Sequence, residues 1–115
     1  MDLDWADLFK KLTQEIDQTG KAYAEAKANS WYAQEMKSAL LSKLMNSYGD
    51  DIPVSRAEIK AKASDDYSKF LVESRILMEL EGKTKSSYEK AKARFDAYRS
   101  LCSLEKKTRT LIEGD

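Results

Sequence analysis

The stretch that decides the fold is "YGDDIPVS", residues 48–55, which holds the only proline of the chain and one of its four glycines. Gly49 can adopt the left-handed backbone conformation that ends a helix, and Pro53 cannot continue one. Ser55 followed by Glu58 forms a capping box, which favours the start of a new helix. The stretch therefore predicts a turn over residues 49–54, between a first arm over about 3–48 and a second arm over about 55–112.

The first arm repeats apolar and aromatic residues at the spacing of a helix. These residues fall three or four positions apart, or multiples of seven, as the residues on one face of a helix do. They are Trp5, Phe9, Leu12, Ile16, Tyr23, Ala26, Ala33, Leu40 and Leu44.

The second arm keeps a seven-residue register. Its first set of positions is Ala63, Phe70, Leu77, Thr84, Ala91, Tyr98 and Ile112, broken only by Glu105. The companion positions are Tyr67, Ser74, Glu81, Tyr88, Phe95 and Cys102. A period of 3.5 residues is typical of helices that wrap around one another. The sequence thus predicts an all-α fold, a long antiparallel helical hairpin or coiled coil, as a single helical domain over residues 1–115.

Two glycines interrupt the arms and leave one alternative open. Gly20 and Gly82 each cost roughly 1 kcal/mol relative to alanine inside a helix. The seven-residue register passes Gly82 without a slip, which favours a continuous or kinked helix. Ser86 followed by Glu89 is a second capping box, however, and it supports a three-helix bundle with a break near Gly82.

Composition narrows the functional classes. The 115 residues include twenty basic and twenty acidic side chains, so the net charge is zero, and a strongly basic nucleic-acid binder is not expected. The lone cysteine, Cys102, suits a reducing compartment. No apolar run approaches the ~20 residues of a membrane span, and the acidic start is unlike a signal peptide. We expect a cytoplasmic protein that does not contact a membrane.

The chemistry of common active sites is missing from the sequence. The chain has no histidine, which removes the usual general base and the histidine-dependent nucleophiles. One cysteine cannot build a zinc cluster, and the isolated glycines form no phosphate-binding loop. Among the acids, Asp4 and Asp7 alone are too few for a magnesium site. We therefore expect no catalytic residue, no cofactor and no metal, and we predict that the protein is not an enzyme.

Apolar residues cover most of the second arm's circumference between residues 70 and 80. Because one partner helix cannot cover so wide a surface, the sequence predicts self-association into a dimer or higher homo-oligomer. The predicted oligomer or partner seam is Phe70, Leu77, Leu80, Tyr88, Phe95 and Tyr98.

Residues 83–109 carry nine basic side chains against Glu89, Asp96 and Glu105. This local excess is a candidate strip for nucleic acid, because phosphate contacts need exposed lysine and arginine. The strip consists of Lys83, Lys85, Lys90, Lys92, Arg94, Arg99, Lys106, Lys107 and Arg109. Its basic residues also suit the solvated flanks of a coiled coil. Tyr88, Phe95 and Tyr98 fall on the apolar register, which favours a place in the seam over stacking with nucleic-acid bases.

The run "YEKAKARFDAYRSLCSLEKK", residues 88–107, resembles the C-terminal part of small helical coiled-coil proteins encoded by tailed phages and prophages near recombination genes. The resemblance implies an accessory role in DNA metabolism or host interaction, and a bacterial host cytoplasm as its location. A hairpin with "NSYGD" at its midpoint is also similar to small secreted Trp-Xaa-Gly helical hairpins, although Ser47 stands where their tryptophan would be.

These observations lead to one favoured function and two alternatives. The favoured function is a non-catalytic phage-type accessory protein that acts through protein–protein interaction in DNA recombination, replication or host-defence interference. The first alternative is direct nucleic-acid binding through the basic C-terminal arm. The second is a small secreted helical-hairpin protein.

Overall fold

A computed structural model describes residues 4–113 of the chain, which form three α-helices and contain no strand. Helix α1 spans Trp5–Ser47, α2 spans Val54–Lys62 and α3 spans Asp65–Glu113. The all-α prediction of a helical hairpin or coiled coil is confirmed. The first predicted arm begins at Leu3, which lies outside the described residues.

The turn lies where the glycine and proline predicted it. Helix α1 ends at Ser47, and Gly49 has a φ of +83°, a left-handed conformation that side chains with a Cβ disfavour. The amide groups of Tyr48 and Gly49 donate to the carbonyl oxygens of Met45 and Asn46 at 3.2 and 3.3 Å. These bonds satisfy two of the carbonyl groups that the end of a helix leaves without partners.

The two capping boxes read from the sequence are wrong. Helix α2 begins at Val54 after Pro53, with no side-chain hydrogen bond at its cap, so Ser55 already lies inside the helix. Ser86 lies in the middle of α3. Proline in an extended conformation before the first helical residue is sufficient to start α2, and the Ala57 amide donates to its carbonyl oxygen at 2.9 Å.

The second arm consists of two helices rather than the single arm predicted over residues 55–112. The break lies at Ala63 and Ser64, and not near Gly82, through which α3 continues. The Ser64 hydroxyl donates to the Ala61 carbonyl oxygen at 2.6 Å and accepts from the Tyr67 amide at 3.2 Å. It therefore closes α2 and caps α3, whose first turn carries two aspartates that the helix dipole favours.

The seven-residue register predicted for the second arm is the buried stripe of α3. Residues at alternating three- and four-residue steps are buried or half-buried, and the residues between them are exposed. The stripe consists of Tyr67, Phe70, Ser74, Leu77, Glu81, Thr84, Tyr88, Ala91, Phe95, Tyr98, Cys102 and Glu105. This alternation is the pattern of a coiled-coil seam. Ala63, which precedes α3, and Ile112 of the predicted register are exposed.

The chain divides into two compact units. The described residues of the first, which we call the terminal unit, are 4–23 and 83–113, and the second, the turn unit, is residues 24–82. The most buried side chains of the turn unit are small, with one tyrosine among them. They are Ala26, Ser30, Ala33, Ala57, Ala61 and Tyr67. Small side chains allow helix backbones to approach closely, because no bulky group separates them.

Contacts in the terminal unit show that α1 and α3 run antiparallel there. Trp5 contacts Tyr98 and Phe9 contacts Phe95, with ring centroids 5.1 and 5.4 Å apart. Further along α1, Tyr23 contacts Tyr88 at 6.0 Å. The residue numbers rise along α1 as they fall along α3, so the first helix covers the aromatic part of the α3 stripe.

The two interior glycines have different surroundings, and we expect different effects when each is replaced by alanine. A Cβ at Gly82 would meet nothing within 4 Å, so Gly82→Ala should raise the free energy of unfolding by about 1 kcal/mol. A Cβ at Gly20 would lie 3.1 Å from the Tyr88 ring, which would have to move. The gain from Gly20→Ala should therefore be smaller or reversed. Urea denaturation of both variants tests this, and equal gains would contradict it.

Candidate interaction surfaces

The aromatic residues of the predicted seam contact α1 of the same chain. Tyr98 is buried, its ring contacts Trp5 and Phe9, and its hydroxyl donates to the Trp5 carbonyl oxygen. Phe95 contacts Phe9, and Tyr88 contacts Tyr23. In the structure Tyr88, Phe95 and Tyr98 thus contact α1 of the same chain, and their place in a seam with a second molecule stays a prediction.

The Tyr98 hydroxyl has a strongly raised pKa. Burial is the largest cause, and together with the side chain of Cys102 and nearby carboxylates it raises the pKa of Tyr98 to about 12. The unfolded chain loses this proton near the ordinary pKa of about 10, while the folded chain keeps it until about pH 12. The contribution of Tyr98 is therefore fully present below about pH 10 and is lost as the pH rises through this window.

This window gives a prediction for Tyr98→Phe. Near pH 8 the variant should be less stable by about 1 kcal/mol, because it lacks the hydrogen bond to the Trp5 carbonyl oxygen. Above pH 10 the difference should shrink, since phenylalanine has no proton to lose on unfolding. Urea denaturation at pH 8 and pH 11 measures both differences. A gap that stays constant across this range would contradict the assignment.

The other predicted seam residues differ in exposure. Phe70 and Leu77 are half-buried within the turn unit, on the stripe, whereas Leu80 is 45% exposed. Phe70 also lines a cleft of about 160 Å³ in that unit, together with Ala33 of α1 and Met78 of α3. Phe70 and Leu77 thus belong to the seam inside the unit, and Leu80 lies beside it.

An outward-facing set of apolar residues lies next to Leu80. Val72 and Ile76 are 60% and 58% exposed, and with Leu80 they are spaced four residues apart. This spacing places the three side chains along one side of α3, one turn after another. We call Val72, Ile76 and Leu80 the apolar row. The sequence places these residues in its broad apolar cluster but assigns only Leu80 to the seam.

Two aromatic residues on α1 are also exposed. Trp31 and Tyr32 are 63% and 62% exposed in the turn unit, where the buried neighbours are Ser30 and Ala33. Tryptophan and tyrosine are enriched among residues that dominate protein interfaces. This pair was not predicted from the sequence. The signal was available, because both residues fall between register positions.

The nine residues of the candidate nucleic-acid strip are all exposed, but several have partners within the terminal unit. Arg94 pairs with Glu15, and Arg109 pairs with Glu105 on the same helix. The Lys92 ammonium lies 4.5 Å from the centre of the Tyr88 ring. Four of the nine, Lys85, Lys92, Arg99 and Lys106, are spaced seven residues apart and so share one side of α3.

Several acidic residues, Asp4, Glu58 and Glu79 among them, lie in a helix cap or in surface ion pairs. An Asp4 carboxylate oxygen accepts from the Asp7 amide at 3.2 Å, which caps the start of α1.

No group of three or more potential metal ligands is found among residues 4–113. Cys102 has a free, half-buried thiol. Within the described part of the chain, no helix has an apolar stretch long enough to cross a membrane.

Comparison with protein-family models, with curated proteins and with solved structures gives no match to this chain.

Proposed function

We propose that this protein is a non-catalytic accessory factor that works by binding another protein chain. The observation that carries the proposal is the apolar row on α3, three large side chains exposed side by side on a helix that already has a buried seam. The resemblance of residues 88–107 to phage coiled-coil proteins supports a role in DNA recombination, replication or interference with host defence.

The chemistry around the apolar row suits a protein partner. Glu73 and Glu79 flank it on the exposed surface, as polar residues surround the apolar centre of many interfaces. Burying three such side chains against a partner would remove several hundred square ångströms of apolar surface from water. Each Å² removed contributes about 25 cal/mol of favourable free energy. A helix with an apolar stripe of this spacing is the usual ligand of a hydrophobic groove.

A photo-crosslinking amino acid at position 76 tests the proposal. We expect irradiation of cells that contain the variant to yield a covalent adduct with a protein at this position. The matched control is the same amino acid at Ser86, an exposed polar position on α3. Mass spectrometry of the adduct identifies the partner. If position 76 gives no adduct, or gives the same products as position 86, the apolar row is not a protein-binding surface.

Direct nucleic-acid binding is the second candidate, and the cationic row Lys85, Lys92, Arg99 and Lys106 favours it. Phosphate contacts release counterions, so the affinity would fall steeply with salt. Band shifts with single- and double-stranded DNA at low and moderate salt test for this dependence. A matched pair of triple variants separates the row from general charge. Changing Lys85, Arg99 and Lys106 to glutamate should abolish binding, whereas Lys10, Lys11 and Lys43 changed to glutamate should leave most of it.

A further inference from the structure

We propose that the apolar row of one chain packs antiparallel against the C-terminal part of α3 in a second copy of this chain. The inference rests on the proposed function, because it names the partner of the same surface. Three features carry it. They are an exposed basic segment at the end of α3, the acidic segment that contains the apolar row, and a matching spacing of residues in the two segments.

The first feature is the end of α3. Trp5, the first residue of α1, contacts Tyr98, so residues 99–113 run past the start of α1. We call these residues the C-terminal extension, which is about 22 Å long at 1.5 Å per residue. Leu101 and Leu104 are 57% and 60% exposed on it, and Leu111 is exposed further along. The extension therefore offers leucines on one side of a helix.

The second feature is charge complementarity. Residues 65–82 of α3, which include the apolar row, carry five acidic and two basic side chains. The acidic ones are Asp65, Asp66, Glu73, Glu79 and Glu81, and the basic ones are Lys69 and Arg75. The C-terminal extension has the opposite balance, with Arg99, Lys106, Lys107 and Arg109 against Glu105 and Glu113. Opposite charge of this kind steers two surfaces together and suppresses pairing of like surfaces.

The third feature is the spacing along the two segments. When Ile76 is placed opposite Leu104 in antiparallel helices, Leu80 comes within one residue of Leu101. In the same register Glu73, three residues before Ile76, lies opposite Lys107, three residues after Leu104. Two apolar pairs thus face each other, with Glu73 and Lys107 at the same level along the two helices. In this register the apolar row of one copy covers Leu101 and Leu104 of the other, and the acidic segment lies beside the basic one.

Sedimentation equilibrium of the full chain at tens of micromolar tests the contact, with circular dichroism to show that each variant is folded. We expect the wild type to associate, and Ile76→Glu and Leu104→Glu each to weaken association at least tenfold, because either change buries an unpaired charge. Glu73→Lys and Lys107→Glu should each weaken association several-fold. The double variant, which exchanges the two charges, should recover most of the loss.

Matched controls are Glu35→Lys and Lys11→Glu, exposed charge changes on α1 that should leave association unchanged. A monomeric wild type overturns the inference, as does a double charge variant no better than the single ones. The crosslink at position 76 separates this failure from that of the proposed function. An adduct with a different protein supports the proposed function and refutes the second copy, and an adduct with the mass of two chains supports both.

Discussion

Tyr98→Ala is expected to lower the free energy of unfolding by about 3–5 kcal/mol, the range for removal of a buried aromatic side chain. Tyr98 is buried against Trp5 and Phe9, and its hydroxyl donates to the Trp5 carbonyl oxygen. Alanine would leave a cavity between α1 and α3 in the terminal unit and remove the hydrogen bond. Because domains are stable by only about 5–15 kcal/mol, the loss should be visible as a large fall in melting temperature.

Tyr32→Ala is the matched control for Tyr98→Ala. Tyr32 is 62% exposed on α1, so the same chemical change there should alter stability by about 0.5 kcal/mol or less. Denaturation by urea, followed by circular dichroism, compares the two variants. Similar losses in both would show that the cluster around Tyr98 does not hold the terminal unit together.

Ala91→Leu is expected to cost about 1–3 kcal/mol, because a larger side chain must displace its neighbours in a packed interior. Ala91 is fully buried in the α3 stripe, in the terminal unit. Ala93, two residues further along, is exposed and provides the control. Leucine and alanine have similar helix propensities, so Ala93→Leu should be nearly neutral. Thermal melts of the two variants give the comparison, and equal melting temperatures would refute close packing at Ala91.

The helical stripe could be predicted from the sequence because its cause is local. A seven-residue repeat places every third and fourth side chain on one face, whatever covers that face. For this reason the sequence predicts that Tyr67, Phe70 and Ala91 lie on the buried stripe, whichever helix covers it. The end of the first helix at Gly49 could be predicted equally well, since few other residues adopt its backbone conformation.

The break at Ser64 was missed although its signal is present. Ser64 is followed by Asp65 and Asp66, a hydroxyl cap with acids in the first turn. The seven-residue register conceals it, because Ala63 and Phe70 keep the spacing across the break. Ser55 and Ser86 have the same capping-box spacing but lie inside α2 and α3, so neither residue marks the start of a helix. Spacing alone does not distinguish a cap from a helical serine.

Which helix covers the α3 stripe is harder to predict from the sequence. The same register suits a helix of the same chain or of a second chain, so nothing in the local pattern decides which of them covers Tyr88 and Phe95. The structure assigns both rings to contacts with α1. Val72 and Ile76 lie outside the repeat, so the register alone does not show whether they are buried or exposed. Their exposure depends on where α1 lies, which is a property of packing rather than of local pattern.

The contact between Tyr98 and Trp5 has a consequence for the order of folding. It joins residues 93 positions apart, whereas the cleft of the turn unit brings Ala33 near Phe70 across a loop less than half as long. Each doubling of the loop length adds about 0.6 kcal/mol to the free-energy cost of closing the loop, because more chain entropy is lost. We therefore expect the turn unit to close first during refolding. Pulsed hydrogen exchange should protect its amides before those beside Trp5, and the fluorescence of Trp5 in a Trp31→Phe background should reach its native value in the last phase. Simultaneous protection would mean that the ends of the chain meet as early as its middle.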